Sequence, residues 1–283
     1  MFTTEIGALI SLLDDPDERI FLQVRGEIIT YGEKIVPRLL QHLEMNDHNE
    51  LLRNRLGNLI GYIQYEGIYQ RIERWLVSED HPLLDAALIL NRYEYPGYEE
   101  SELRNSLFKI RQDIWLELND HLTAVEQVVV VNKIFFELYG FRSSSQQSGR
   151  SILPADILES KAGSPIGLGL IYACLCQSLD LPVQPAQPGG KFMLSYTAWT
   201  SDETSEDPMA LKEEILFYID PTNGEILNSS QFETQNSSLN GVSTGPEFMA
   251  HLLGQLIHFY IAADNQDKVR ELKTLTSLLL ERA

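Results

Sequence analysis

The chain has 283 residues, a formal net charge of −19 and a hydrophobic fraction of 43%. That apolar fraction is large enough to build a folded core and excludes an intrinsically disordered protein. A strong negative charge repels nucleic acids and anionic membrane surfaces, so we expect neither as a partner. No apolar run approaches the roughly 18 residues that a membrane-spanning helix requires.

Residues 1–98 predict an N-terminal helical region. Short amphipathic stripes alternate with turns, and the first clear helix start has Asp15 as N-cap and Pro16 as first helical residue. Two later stripes, residues 51–63 and 68–75, are interpreted as separate helices. The run DDPDERIFLQVRGEIITYGEKIVPRLLQHLE resembles a degenerate HEAT-type helical pair. A non-repeating helical domain explains the pattern equally well, because repeat architectures need several units.

The segment from residue 99 to about 150 predicts two further helices and no metal site. Thr123 followed by Glu126 is the pattern of a capping box, which marks the second helix start. His121 lies among acidic residues, but there is no HExxH motif and no second histidine nearby. We therefore expect neither a metal ion nor a cofactor.

The most informative stretch is KAGSPIGLGLIYACLCQSLDLPVQPAQPGGKFML, residues 161–194. Ser164 is predicted as N-cap and Pro165 as first residue of a helix that is apolar on nearly all sides and must be buried. Gly167 and Gly169 indicate close approach of neighbouring backbone, since no phosphate-binding motif follows. Three strands are predicted at residues 183–185, 192–199 and 215–219.

Two cysteines, Cys174 and Cys176, lie on this apolar helix. Side chains two positions apart on a helix diverge, so a disulfide between them is not expected. Free thiols favour a reducing compartment, and the acidic start of the chain lacks the basic leader of a signal peptide. We therefore expect a cytoplasmic protein.

Residues 241–283 predict two helices joined by a short polar turn, the first of which begins near Pro246. Such a pair is similar to a single tetratricopeptide-like unit. A helical hairpin that only covers the core explains the same pattern, so a docking role and a structural role both stay open.

Several motifs together resemble the transglutaminase-like superfamily and, more narrowly, the bacterial SirB-type regulators. They are LNDHLTAVEQVVVVNKIFFELYGFRS, ILESKAGSPIGLGLIYACLCQSLDLPVQP, PGGKFMLSY and FYIDPTNGEIL, in this order. The resemblance implies a mostly helical α+β fold, with a papain-type core containing a small antiparallel sheet in residues 99–240. An N-terminal helical stack and a C-terminal helical hairpin flank that core.

The same resemblance implies where catalytic residues belong. Catalytic members use a cysteine at the start of the central helix, a histidine on the next strand and an aspartate after it. The helix end lowers the thiol pKa, the histidine takes the proton and the aspartate orients the histidine. The corresponding positions here are Gly167, Lys191 and Asp220, so the nucleophile and the histidine are both missing.

The sequence therefore favours a non-catalytic protein that acts as an interaction or regulatory module with a protein partner. Lys191 and Asp220 are expected either to form an ion pair or to bind a ligand. One alternative is a cysteine- or serine-type hydrolase or transferase with altered chemistry, for which Ser164 and Lys191 are the candidates if they lie close together. Another is a cleft that binds small anionic ligands or peptides.

Overall fold

The computed structural model describes residues 2–46, 49–144, 149–201, 211–232 and 243–281. The chain divides into two compact units between Arg74 and Trp75. Throughout the described part of the chain, no helix combines the length and the apolar character that crossing a membrane would need.

The first unit is helical. It contains α1 (Phe2–Ser11), α2 (Glu18–Thr30), α3 (Val36–Met45) and most of α4 (Glu50–Val77). Its core is formed by fully buried aliphatic side chains, among them Leu13, Ile28, Leu39, Leu56 and Leu59. These residues lie on the apolar stripes that the sequence shows, because burying such a stripe is the main source of helix stability in a folded domain.

Two details of this unit differ from the sequence-based predictions. Helix α2 begins at Glu18 with Asp17 as its N-cap, and Asp15 accepts a hydrogen bond from the backbone of Asp17 in the preceding turn. Asp15 and Asp17 both suit a cap, and the turn geometry decides between them. The stripes at 51–63 and 68–75 lie on the single helix α4, because Gly67 between them costs only about 1 kcal/mol in a helix and no proline interrupts the run.

The second unit combines helices with two small sheets. Its helices are α5 (Leu83–Glu94), α6 (Glu100–Glu117), α7 (Ala124–Asn132), α8 (Pro154–Ser160), α9 (Pro165–Gln177), α10 (Gly245–Ala262) and α11 (Gln266–Glu281). Helix α7 starts with the predicted capping box of Thr123 and Glu126 and continues into a π-helical turn over Lys133–Leu138.

The larger sheet of this unit is antiparallel, and its four strands pair in chain order. The strands are β3 (Val183–Ala186), β4 (Met193–Ser201), β5 (Leu211–Ile219) and β6 (Ile226–Asn228), and a register shift lies between Tyr196 and Thr197. A smaller parallel pair joins β1 (Arg142–Ser143) to β2 (Ala162–Gly163). The predicted helical α+β class and small antiparallel sheet are confirmed.

Helix α5 and the C-terminal hairpin both belong to this second unit. Tyr93 of α5 donates a hydrogen bond to Glu271 of α11 (3.0 Å), and Tyr260 of α10 donates to Glu94 (2.6 Å). Burial raises the pKa of both phenols, and the acceptor carboxylates raise it further. These contacts fasten the hairpin to α5. The division at residues 98 and 240 stays a prediction.

Candidate functional site

Helix α9 lies at the centre of the second unit, and its start is fixed as the sequence predicts. Ser164 is the N-cap, since its hydroxyl accepts a hydrogen bond from the backbone of Gly167 (3.3 Å), and Pro165 is the first helical residue. The backbone of Ser164 also donates to the carbonyl of Ser151 (2.7 Å). Every residue from Ile166 to Cys176 is buried, as expected for a helix that is apolar on all sides.

Gly167 lies where no side chain fits. A Cβ at this position would lie 2.6 Å from the carbonyl oxygen of Ser151 and 2.9 Å from the Cα of Ile152. Both atoms belong to the backbone and cannot turn aside as a side chain could. A nucleophile at position 167 would therefore require a shift of the segment around residues 151 and 152.

Gly167 also faces a different side of α9 from the segment of Lys191 and Phe192 that leads into β4. A Cβ at Gly169 would lie 2.4 Å from the ring of Phe192, so Gly169 packs on the start of β4. Positions two residues apart on a helix point about 200° apart. Position 167 therefore points towards α8 and the segment before it, so a side chain there would not project towards β4.

Lys191 and Asp220 lie together as an ion pair. Lys191 Nζ is 2.7 Å from Asp220 Oδ2, and the other carboxylate oxygen accepts hydrogen bonds from the backbone (2.9 Å) and hydroxyl (2.5 Å) of Thr222. The Asp220 side chain is only 10% exposed, whereas that of Lys191 is 60% exposed. Burial would raise the pKa of Asp220, but hydrogen bonds from Lys191 and Thr222 and the lysine charge together lower it.

The turn after Asp220 is held by Asn132, a residue that the sequence analysis did not single out. The amide of Asn132 donates to the carbonyl of Gly224 (2.8 Å), and the hydroxyl of Tyr172 donates to the amide oxygen of Asn132 (3.0 Å). Asn132 thereby connects α7, α9 and the Asp220 turn. Its signal in the sequence is an uncharged polar residue that follows a run of four valines.

Neither cysteine is available for chemistry. Cys174 is 5% exposed and Cys176 is fully buried. Burial in apolar surroundings raises the pKa of both thiols, the opposite of what a nucleophilic cysteine needs. The same burial keeps reagents and substrates away from the sulfur atoms.

Two other candidates from the sequence have structural partners. Ser164 caps α9 and Lys191 pairs with Asp220, so each of the two polar groups proposed for serine-type chemistry is already engaged. His121 is exposed at a turn, where its backbone donates to Asn119 (3.1 Å). Among the residues that the structure describes, no cluster of three or more histidine, cysteine or acidic side chains is arranged to hold a metal ion.

A cavity of about 650 Å³ lies beside the start of α9. Ser164, Pro165 and Ile166 form one part of its wall, the connection between β3 and β4 another, and α10 a third. His251 and His258 of α10 line it, and sequence reasoning overlooked both. Their spacing of seven residues, which places two side chains on one face of a helix, was the available signal.

Comparison with known proteins identifies the family. A family model described as the transglutaminase-like superfamily matches residues 101–254. This is 254 − 101 + 1 = 154 of the 283 residues, more than half of the chain. The chain belongs to the transglutaminase-like superfamily. No curated protein matches it, and neither does any solved structure. The transglutaminase-like region begins with α6 and ends within α10, so it contains both the ion pair and the start of α9.

Proposed function

We propose that this transglutaminase-like protein is a non-catalytic, SirB-type member that acts as an interaction or regulatory module. One observation carries the proposal: the chain has two cysteines, and both are buried in α9. Cysteine catalysis requires an accessible thiolate, which neither residue provides.

The polar residues around the expected active site support the same conclusion. Lys191 stands where the resemblance places the catalytic histidine, and an ammonium group has no lone pair with which to take a proton. Asp220, which would orient that histidine, instead holds Lys191 and Thr222. Gly167 has neither a nucleophile nor the space for one.

A protein partner is proposed from the surface of α6. Phe108 and Trp115 lie seven residues apart on this helix and are 57% and 60% exposed. A spacing of seven places both rings on one helix face. Large exposed aromatic side chains that share a face are typical of protein interaction sites. The N-terminal HEAT-like and C-terminal tetratricopeptide-like helices are further candidate docking elements, and a cytoplasmic location fits two free thiols.

Alkylation with iodoacetamide at neutral pH tests the loss of catalysis. In the folded protein we expect Cys174 and Cys176 to react at least about 100-fold more slowly than free cysteine, since both the burial and the raised pKa oppose thiolate formation. The same protein unfolded in urea is the control and should react at the rate of free cysteine. Rapid alkylation of either thiol in the folded protein would overturn the proposal.

A further inference from the structure

The cavity beside α9 has the dimensions of a small-molecule site. Its volume of about 650 Å³ lies inside the range of roughly 300–1,000 Å³ that such sites occupy. Lys191, Asp220 and Gly167 do not line it, although the cavity adjoins Gly167 through Ser151 and Ile152.

One wall of the cavity is a polar face of α10 whose side chains take no part in the packing of the core. His251, Gln255 and His258 are spaced four and three residues apart, which places them on the same helix face. The apolar residues of α10, among them Leu252 and Leu256, point into the core and account for its packing. A polar face turned towards a cavity is therefore available for a ligand.

The hydrogen-bonding groups on this face are not used up within the protein. The side-chain amide nitrogen of Gln187 contacts Nδ1 of His251, which holds that imidazole in place. Within the described ranges, the side chains of Gln255 and His258 form no hydrogen bond or ion pair. An amide and an imidazole each offer a donor and an acceptor, so the two residues match a ligand edge that also carries both.

The charge of the lining restricts the ligand further. Charged residues make up 22% of the chain, yet the described residues that line this cavity include no Asp, Glu, Lys or Arg. A charged group that leaves water costs free energy unless an opposite charge replaces the lost solvation. An uncharged ligand does not need such a partner.

Aromatic side chains complete the lining. Phe192 stacks on Phe248 with ring centroids 5.6 Å apart, which fixes its orientation, and Phe259 lies against Gly149. Rings of this kind provide apolar contact area for a flat ligand. We propose that the cavity between α9 and α10 binds an uncharged heteroaromatic molecule whose hydrogen-bonding edge pairs with Gln255 and His258. This inference goes beyond the proposed interaction role and does not depend on it.

Two matched pairs of probes test the proposal with the full chain at neutral pH. Nicotinamide and nicotinate differ in an amide against a carboxylate, and adenosine and adenosine monophosphate differ in the phosphate. Ligand-detected NMR titration should give dissociation constants on the order of 1 mM for the neutral member of at least one pair. The charged counterpart should bind at least about tenfold more weakly, because it enters a site without a countercharge.

Variants of α10 then locate the binding. Ala262→Trp places a large ring in the cavity and should abolish binding of the neutral probe, whereas Ile261→Trp, at an exposed neighbour outside the lining, should not change it. His258→Ala and Gln255→Ala should each weaken binding by about 3- to 10-fold, the range for one lost hydrogen bond. If Ala262→Trp fails to fold, the affinities of His258→Ala and Gln255→Ala for the neutral probe decide whether binding occurs in this cavity. Equal or tighter binding of the charged probes, absence of binding by both neutral probes, or unchanged affinity in the cavity and alanine variants would overturn the proposal.

Discussion

The Lys191–Asp220 ion pair and the cavity between α9 and α10 both include residues from the connection between β3 and β4. The two sites differ in whether their polar side chains bond to each other. Lys191 projects to one site, where Asp220 and Thr222 satisfy the charges within the protein. Gln187 and Phe192 project to the other, a cavity in which Gln255 and His258 have no hydrogen-bond partner among the described residues. Polar groups that bond to each other within the protein serve the fold, whereas exposed ones that line a cavity can bond to a ligand in place of water.

The largest effect is expected at Gly167, near the start of α9, where the backbone leaves no space for a side chain. Gly167→Ala should destabilise the protein by about 3 kcal/mol, because the new methyl group meets the backbone of Ser151 and Ile152. Urea unfolding followed by circular dichroism measures this. Gly254→Ala is the matched control: it also lies inside a helix, and its Cβ would meet nothing within 4 Å. The control should be neutral or stabilise by up to about 1 kcal/mol. Equal effects of the two substitutions would show that position 167 is open.

A smaller effect is expected from the residue that holds the Asp220 turn. Asn132→Ala removes the acceptor of Tyr172 and the donor to Gly224, and leaves the buried phenol without its partner. The free energy of unfolding should fall by about 2 kcal/mol. The double variant with Tyr172→Phe should be less than additive, because both substitutions remove the same hydrogen bond. Full additivity would argue that Asn132 acts only through the turn.

The smallest effect is expected at the ion pair. Lys191→Met should lower the stability by about 1 kcal/mol at neutral pH, since the lysine is mostly exposed and solvent screens its charge. Methionine has a side chain of similar length to lysine but carries no charge, so the substitution removes the ion pair and keeps most of the apolar contacts. A variant as stable as the wild type would show that the pair contributes nothing to the fold.

The pH dependence of the same variant tests the electrostatics of Asp220. Because the pKa of Asp220 is lowered in the folded state, its stabilisation is present above the ordinary carboxylate pKa and is lost as the pH falls through the folded value. In Lys191→Met the folded pKa should rise, so the contribution disappears at a higher pH than in the wild type. Urea midpoints between about pH 2 and 6 measure this difference.

Local patterns predicted much of the second unit. The cap and proline at Ser164 and Pro165, the capping box of Thr123 and Glu126 and the strand positions were predicted because each rests on neighbouring residues. The ion pair of Lys191 and Asp220 was one of the two alternatives that the family resemblance left open for these residues. Two predictions were wrong: Asp15 as the N-cap of α2, and separate helices in place of α4. In both cases the alternatives differ little in local free energy.

The features that sequence reasoning missed depend on residues far apart in the chain. Asn132 bonds to Gly224 and Tyr172, and His251 meets Gln187, at separations of 40 to 92 residues. The pattern of residues within a single segment does not predict contacts between segments so far apart. The direction in which Gly167 faces likewise depends on the rotation of α9 against β4 and the segment at Ser151, which only packing determines.

The sequence by itself determined the family, the central buried helix and the absence of a cysteine or histidine at the expected catalytic positions, because residue identities and short-range patterns are sufficient for these. The tertiary structure decided that both thiols are inaccessible and that Asp220 bonds to Lys191 and Thr222. It also decided that a cavity, whose described lining has no Asp, Glu, Lys or Arg, lies between α9 and α10. Burial, pairing and cavity shape arise from how distant segments pack, and that packing balances many weak contacts that no single stretch of sequence contains.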